Sequence, residues 1–262
     1  MSTTTGTLQI GIFADNLRLP LRDGVRKAAE LGVASFQMFT TSGEVLPDNM
    51  SKAQRAEFRR FYADQGLKLS ATCADFGHGF VDPEKNTELI PALLEQVDLA
   101  VDLGTDVITT HIGTLPPQPN EVWDIMRAAI SRIGKYAEDH GVSLATETGP
   151  ESGPVLRDFL QTIDNNGVKV NLDPANLTMA GYDLDEALDA LLPYIVHTHA
   201  KDGFVDPGKW REAPLGQGDV NWPNYIARLK AAGYRGAFTI EREAGENPIG
   251  DIQKAIAFLR QF

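Results

Sequence analysis

Short apolar runs alternate along the chain with longer amphipathic segments, and the alternation repeats eight times. The runs that predict strands are LQIGIFAD (8–15), ASFQMFT (34–40), LKLSATCAD (67–75), VITTHIG (107–113), VSLATETG (142–149), VKVNLDPAN (168–176), VHTHAKD (196–202) and GAFTIERE (236–243), with helices between them. Glycines punctuate the expected helix ends at Gly32, Gly66, Gly104, Gly141 and Gly167, where a left-handed residue closes a helix at little cost. Ser51 and Asn221 read as helix N-caps, the second followed by Pro223 in the first turn, where a missing N–H does no harm. Strict β-then-α order implies a parallel sheet with right-handed crossovers. Eight such units close into an α/β barrel, a single (β/α)8 TIM barrel domain over residues 1–262. A doubly wound open sheet is the competing fold, but it usually carries a glycine-rich turn after its first strand, and here that strand runs into Ala14-Asp15-Asn16-Leu17.

Charge narrows the partners. The 262 residues include 24 Lys+Arg and 36 Asp+Glu, a formal charge of −12. Steering of polyanions requires clustered basic residues, so neither nucleic acid nor an anionic membrane surface is an expected partner. The lone thiol, Cys73, has no internal disulfide partner. No apolar run approaches the roughly 20 residues that span a bilayer. Met1–Gly6 lacks the basic and apolar parts of a signal peptide, and a cytoplasmic protein is expected.

In a barrel of this kind the chemistry sits at the C-terminal ends of the strands and in the loops that follow them. Four successive strands there offer a ligand for a divalent cation: Glu147, Asp173, His199 and Glu241. Residues two apart share a face of a strand. Ala145 and Glu147, Asn171 and Asp173, His197 and His199, and Thr239 and Glu241 should therefore all point inward, while Leu144, Leu172, Val196 and Ile240 face the helices. An ionised carboxylate in an apolar strand is costly unless paired or bound to metal. Three carboxylates with one imidazole suit Mn²⁺, Co²⁺ or Mg²⁺, with Zn²⁺ also compatible by ligand type. One divalent ion, Mn²⁺ first, is the expected cofactor.

At these residues the chain resembles the xylose isomerase-like TIM barrels, the group that contains ketose 3-epimerases, sugar-phosphate isomerases and epimerases, myo-inosose dehydratase and the endonuclease IV branch. The resemblance runs along the whole chain and is most specific in ATETG, NLDPAN, HTHAKD, PLGQGDVNWP and TIEREAG. It implies that Glu147, Asp173, His199 and Glu241 are the metal set, that Glu147 and Glu241 exchange protons with substrate, and that the protein is a homo-oligomer; whether a partner subunit completes the pocket is left open by the sequence. The chain departs from the ketose 3-epimerases at Asn176 and Val205, where they generally carry His and Arg. The endonuclease branch uses more histidines and a basic DNA-binding surface, against five His and a charge of −12 here.

A cation holding a sugar carbonyl and its neighbouring hydroxyl makes the intervening C–H acidic and stabilises the enediolate. Two carboxylates on opposite faces can then remove and return the proton. The expected activity is a metal-dependent sugar isomerase or epimerase on a small sugar or keto-sugar. A lyase or dehydratase acting on a keto-sugar or 3-keto-glycoside is the alternative, and a non-catalytic barrel that binds a sugar or partner is the reading from another class.

Around the tetrad, His111 shares the parity of Thr109 and can bind a substrate hydroxyl or shuttle a proton. Lys201 follows His199 outward, with a surface lysine paired to Asp202 as the competing reading. Asn176 is a candidate hydroxyl contact and His78 a candidate from a lid-like loop. His197 is expected deeper, as a satisfied core histidine, and Trp210 and Phe204 can stack on a sugar ring. Glu151 and Glu243 add charge at the same rim. The loop after the seventh strand holds Gly203, Gly208, Gly216 and Gly218 with Lys209 and Arg211, so a phosphosugar stands as the alternative to an uncharged sugar.

Overall fold

Eight parallel strands close on one another in the order β1-β8-β7-β6-β5-β4-β3-β2. They are β1 Ile10–Phe13, β2 Ser35–Phe39, β3 Lys68–Cys73, β4 Val107–Thr110, β5 Ser143–Glu147, β6 Val168–Leu172, β7 Ile195–Ala200 and β8 Phe238–Ile240. Helices α1 Leu21–Glu30, α2 Lys52–Asp64, α3 Pro83–Leu103, α4 Glu121–Asp139, α5 Gly153–Leu160, α6 Pro174–Met179, α7 Leu184–Leu191, α8 Trp222–Ala231 and α9 Pro248–Leu259 surround the barrel. This computed structural model describes residues 7–206 and 209–262. Met1–Gly6, read above for a signal peptide, and Gly208 lie outside the described residues. No helix among the described residues is long and apolar enough to cross a membrane.

Local chemistry sets the element ends. The Ser51 hydroxyl and Gln54 side chain form a reciprocal capping box at α2, and Asn221 accepts from Asn224 N–H at α8. Helix α4 buries Trp123, Met126, Ile130, Ile133 and Ala137, a three-and-four spacing that turns one stripe toward the strands. Each such large side chain contributes roughly 1.5–3 kcal/mol on burial. Gly32, Gly66, Gly104 and Gly141 adopt the left-handed conformation after their helices. Gly167 does not. Its role is clearance, because a Cβ there would run into the Gly134 carbonyl oxygen where β6 starts against α4.

Strands end earlier than the apolar runs suggest, and the reason matters for the site. The run 168–176 stops at Leu172 because the Asp173 side chain accepts from the N–H groups of Ala175 and Asn176 and caps α6, with Pro174 in its first turn. The alternation also breaks once. The register of β6 on β7 shifts between Val170 and Asn171, which pair with Ile195 and His197, so Val196 is an extra residue. Val196 accordingly packs with Ala71, Val107 and Ala145 inside the barrel, rather than facing the helices as simple alternation requires. Leu144, Leu172 and Ile240 do join the core beneath the helices.

Candidate metal centre

Glu147, Asp173, His199 and Glu241 converge at the C-terminal mouth of the barrel, all buried, each offering one ligand atom, with these atoms within 4.8 Å of one another. His199 Nδ1 lies 3.1 Å from Glu241 Oε2, 3.5 Å from Glu147 Oε1 and 3.6 Å from Asp173 Oδ2. The other ring nitrogen, Nε2, meets Gln37 Oε1 at 3.0 Å, and Gln37 is itself fixed by donating from Nε2 to Thr109 Oγ1 at 2.9 Å. That arrangement puts the imidazole proton on Nε2 and turns Nδ1 to the carboxylates. Gln37 carries no signal in the sequence, since its importance depends on a strand that lies across the barrel.

Beneath the tetrad runs a neutral polar chain. Thr239 Oγ1 meets His197 Nε2 at 3.1 Å, His197 Nδ1 meets Asn171 Oδ1 at 2.9 Å, and Asn171 Nδ2 donates to Glu147 Oε2 at 3.3 Å. Burial, and then the charge of His199, hold the His197 pKa well below its ordinary value, which keeps it a neutral link.

Three buried carboxylates need compensation. Burial pushes the Glu241 carboxyl up, but His199 and Lys201 outweigh it and hold the group well below the usual carboxylate range. Burial likewise opposes ionisation of Glu147, whose pKa is nevertheless lowered by His199 and His111. His199 is held well above its ordinary value, since Glu241 and Glu147 overcome the effect of burial. His199 Nδ1 thus faces the point where the three carboxylates meet, the position a cation would take. Asp173 Oδ2 faces the same point and has no hydrogen-bond partner. An orphaned carboxylate oxygen, two further carboxylates and an imidazole nitrogen aimed at one spot fit a hard or borderline divalent ion.

Of the surrounding residues, Lys201 is neither at the surface nor paired with Asp202. It is buried, with Nζ 3.0 Å from Glu241 Oε2 and 2.5 Å from Glu243 Oε2. His111 stands half exposed over the centre, with Nδ1 2.5 Å from Asp75 Oδ2 and Nε2 3.7 Å from Glu147 Oε1. Glu147 and then Asp75, against burial, raise His111 to about 9. Asn176 donates from Nδ2 to Glu147 Oε1 at 2.9 Å. These groups line a cavity of about 210 Å³ whose opposite wall is Phe13, Phe39 and Cys73, with Trp210 at its edge. Burial pushes the Cys73 thiol up, so this wall is uncharged. His78 is exposed and does not line the cavity. Phe204 turns its ring to the Arg211 guanidinium at 4.4 Å instead. Asp75 and Gln37 line or support the centre without having been legible as site residues. A larger space of about 680 Å³ opens at the other mouth of the barrel, and none of the tetrad lines it.

The model of the family described as xylose isomerase-like TIM barrel matches residues 25–262. The L-ribulose-5-phosphate 3-epimerase UlaE of Salmonella paratyphi C is 34% identical over 247 residues, covering 88% of this chain and 86% of that protein. The uncharacterized protein MJ1311 of Methanocaldococcus jannaschii is 24% identical over 188 residues, and the match spans 66% of this chain and 61% of the relative. Among solved structures, the xylose isomerase domain protein from Planctomyces limnophilus superimposes with a TM-score of 0.86 at 25% identity, covering 98% of this chain and 97% of that one.

Proposed function

Since the chain belongs to the xylose isomerase-like TIM barrel family, we propose that it is a divalent-metal-dependent sugar isomerase or epimerase, with Glu147 and Glu241 exchanging protons with the substrate. The convergence of Glu147, Asp173, His199 and Glu241 on one buried point carries this reading. Those four residues would hold the ion, Mn²⁺ first by donor type. Bound there, it would polarise a substrate carbonyl and acidify the adjacent C–H.

The protein's own groups account for the rest. Both glutamates are held ionised by their neighbours, so either is able to accept a proton. Glu147 ends β5 and Glu241 follows β8, strands separated in the barrel by β6 and β7, and so they approach a bound sugar from different sides. Glu147 is oriented by Asn176 and Asn171, and Glu241 by Lys201. Lys201 also brings an ammonium to the oxygens that gain negative charge as the proton leaves. His111, anchored by Asp75 and facing Glu147, is placed to relay a proton or to bind a hydroxyl. Phe13 and Phe39 on the far wall exclude water and receive the C–H face of the sugar.

The test is deuterium uptake from D₂O into a panel of ketoses, aldoses and 3-keto-sugars, followed by NMR with metal-loaded and chelated protein. Metal-dependent uptake at one carbon, lost in Glu147→Gln and Glu241→Gln, is the expected result. Undiminished uptake in both variants ends the proposal, and an unsaturated product would move the chemistry to a lyase.

A further inference from the structure

We propose that the N-terminal mouth of the barrel is a second ligand site, which takes a small polyhydroxylated anion such as a sugar acid or a sugar phosphate. The site lies at the opposite end of the strands from the metal centre and does not depend on the isomerase reading.

The interior of a TIM barrel is normally filled by layers of bulky branched side chains, and its N-terminal face mostly serves stability. Here the inward positions near that face are small. Gly11 shares a face of β1 with Phe13, and Ser35 shares one of β2 with Gln37 and Phe39, so both point into the barrel. Ala71, Val107, Ala145 and Val196 are their neighbours inside the barrel. A cavity of about 680 Å³ therefore enters from the base and reaches the His197 ring. That volume falls within the roughly 300–1,000 Å³ of common ligand pockets. Its wall also asks for a partner. Ser35 is 6% exposed and its Oγ has no hydrogen-bond partner. A Cβ on Gly11 would come within 2.8 Å of that oxygen, so the missing side chain leaves the hydroxyl open to the barrel interior. A buried hydroxyl left unpaired costs about 1–3 kcal/mol, which a ligand oxygen in the cavity would recover. Ser143 brings a second hydroxyl to the wall, whereas both His197 nitrogens are already engaged by Asn171 and Thr239.

The rim supplies the charge. Lys68, in register with Ser35 on the neighbouring strand, lines this cavity together with Arg235. Arg59 lines an adjoining space of about 380 Å³ that shares Lys68, Leu69 and Asp106 with it. None of these three cations forms an ion pair among the described residues. Arg235 uses Nη1 on the Tyr234 carbonyl at 2.9 Å, which leaves the rest of its guanidinium unengaged. Asp106 is the one carboxylate among the described residues that line either space. Three uncommitted cations against one carboxylate reverse the local sign on a chain of formal charge −12, and such a reversal draws anions. In the metal-centre cavity, by contrast, Lys201 and His111 each stand between two carboxylates. A carboxylate or phosphate group would pair with Lys68 and Arg235, while the hydroxylated body of the ligand reaches Ser35 within the barrel.

Calorimetric titration of D-gluconate and of glucose 6-phosphate, with glucose as the uncharged control, into Mn²⁺-loaded and chelator-treated protein at low ionic strength tests this. Saturable binding of at least one anion with a Kd of about 1 mM or tighter is expected, equal with and without the metal. Glucose should bind about tenfold more weakly or not at all. Gluconate as the better ligand identifies a carboxylate site, and glucose 6-phosphate a phosphate site. Lys68→Glu and Arg235→Glu, both at exposed positions that the fold tolerates, should each weaken binding about tenfold. Ser35→Ala should weaken it several-fold. Binding that requires the metal ion puts the anion at the other mouth and overturns the proposal. Absence of saturable binding by both anions overturns it too, as do affinities unchanged in all three variants.

Discussion

Strands β5 to β8 deliver Glu147, Asp173, His199 and Glu241 to the barrel mouth, whereas β1 to β3 deliver Phe13, Phe39 and Cys73 to the same cavity. The charged half is dense with mutual constraint: each ligand is hydrogen-bonded, capped or paired, and its ionisation depends on its neighbours. The apolar half makes no such demand, since a phenyl ring needs only to be covered. Substitutions in the charged half should change what the site does, and those in the apolar half chiefly how tightly it holds a sugar.

The largest effect belongs to the pair proposed to exchange protons, Glu147 and Glu241. Glu147→Gln or Glu241→Gln should lower deuterium uptake by ~10²–10⁴-fold, while Phe39→Ala raises KM several-fold with kcat nearly unchanged, the pattern of lost uniform binding. A kcat loss in the Phe39 variant as deep as in the glutamate variants would erase the division between the halves.

Glu151, after β5, is a buried carboxylate of the charged half with no ion-pair partner among the described residues. It is 4% exposed, and burial, only partly offset by the Leu115 backbone and by His111, raises it to about 7. The folded protein thus holds this proton more tightly than the unfolded chain does. Its contribution to stability is full below about pH 4.5 and is lost as pH rises through about 7. A shift of this size corresponds to about 3 kcal/mol. Glu151→Gln should therefore be more stable than the natural protein at pH 8 by up to that amount, with the advantage vanishing near pH 4. Denaturant unfolding of both proteins across this range checks it, and parallel curves would show that the carboxylate finds a partner in solution.

Gln37 crosses the divide, coming from β2 to fix His199 on β7. Gln37→Leu should weaken Mn²⁺ binding by ~10–100-fold through loss of His199 orientation, read by calorimetry independently of turnover. Unchanged affinity would mean that the imidazole is positioned by packing alone. The smallest change is expected from Trp210→Ala. The indole is 58% exposed at the edge of the cavity, and its loss should raise KM about twofold, within ~1 kcal/mol of stacking energy.

The charged half was also the half most legible in the sequence. Glu147, Asp173, His199 and Glu241 sit at strand ends in apolar surroundings with one parity, and polar residues in such places require a reason. Asn176 and Lys201 were within reach because they lie two or three residues from a ligand. His78, by contrast, shares a glycine-flanked loop with no feature that fixes its direction, and it faces solvent. Asp202 reads as a surface partner for its neighbour Lys201, yet the strand turns the two apart, one into the cavity and the other toward N–H donors of the following loop.

The eight-fold alternation of apolar runs and amphipathic segments was enough to specify the barrel, because strand and helix periodicities are local and the closure of eight parallel units follows from their handedness. It also specified at which end of the strands Glu147, Asp173, His199 and Glu241 come together. Only the tertiary structure decided that Gln37 orients His199, that Asp75 anchors His111, that Val196 turns inward at a bulge, and that the glycine-rich loop encloses Asp202. Each of these depends on groups far apart in the chain or on a one-residue shift in register. Hydrogen bonds form over about 3 Å in space, and sequence spacing does not measure that distance.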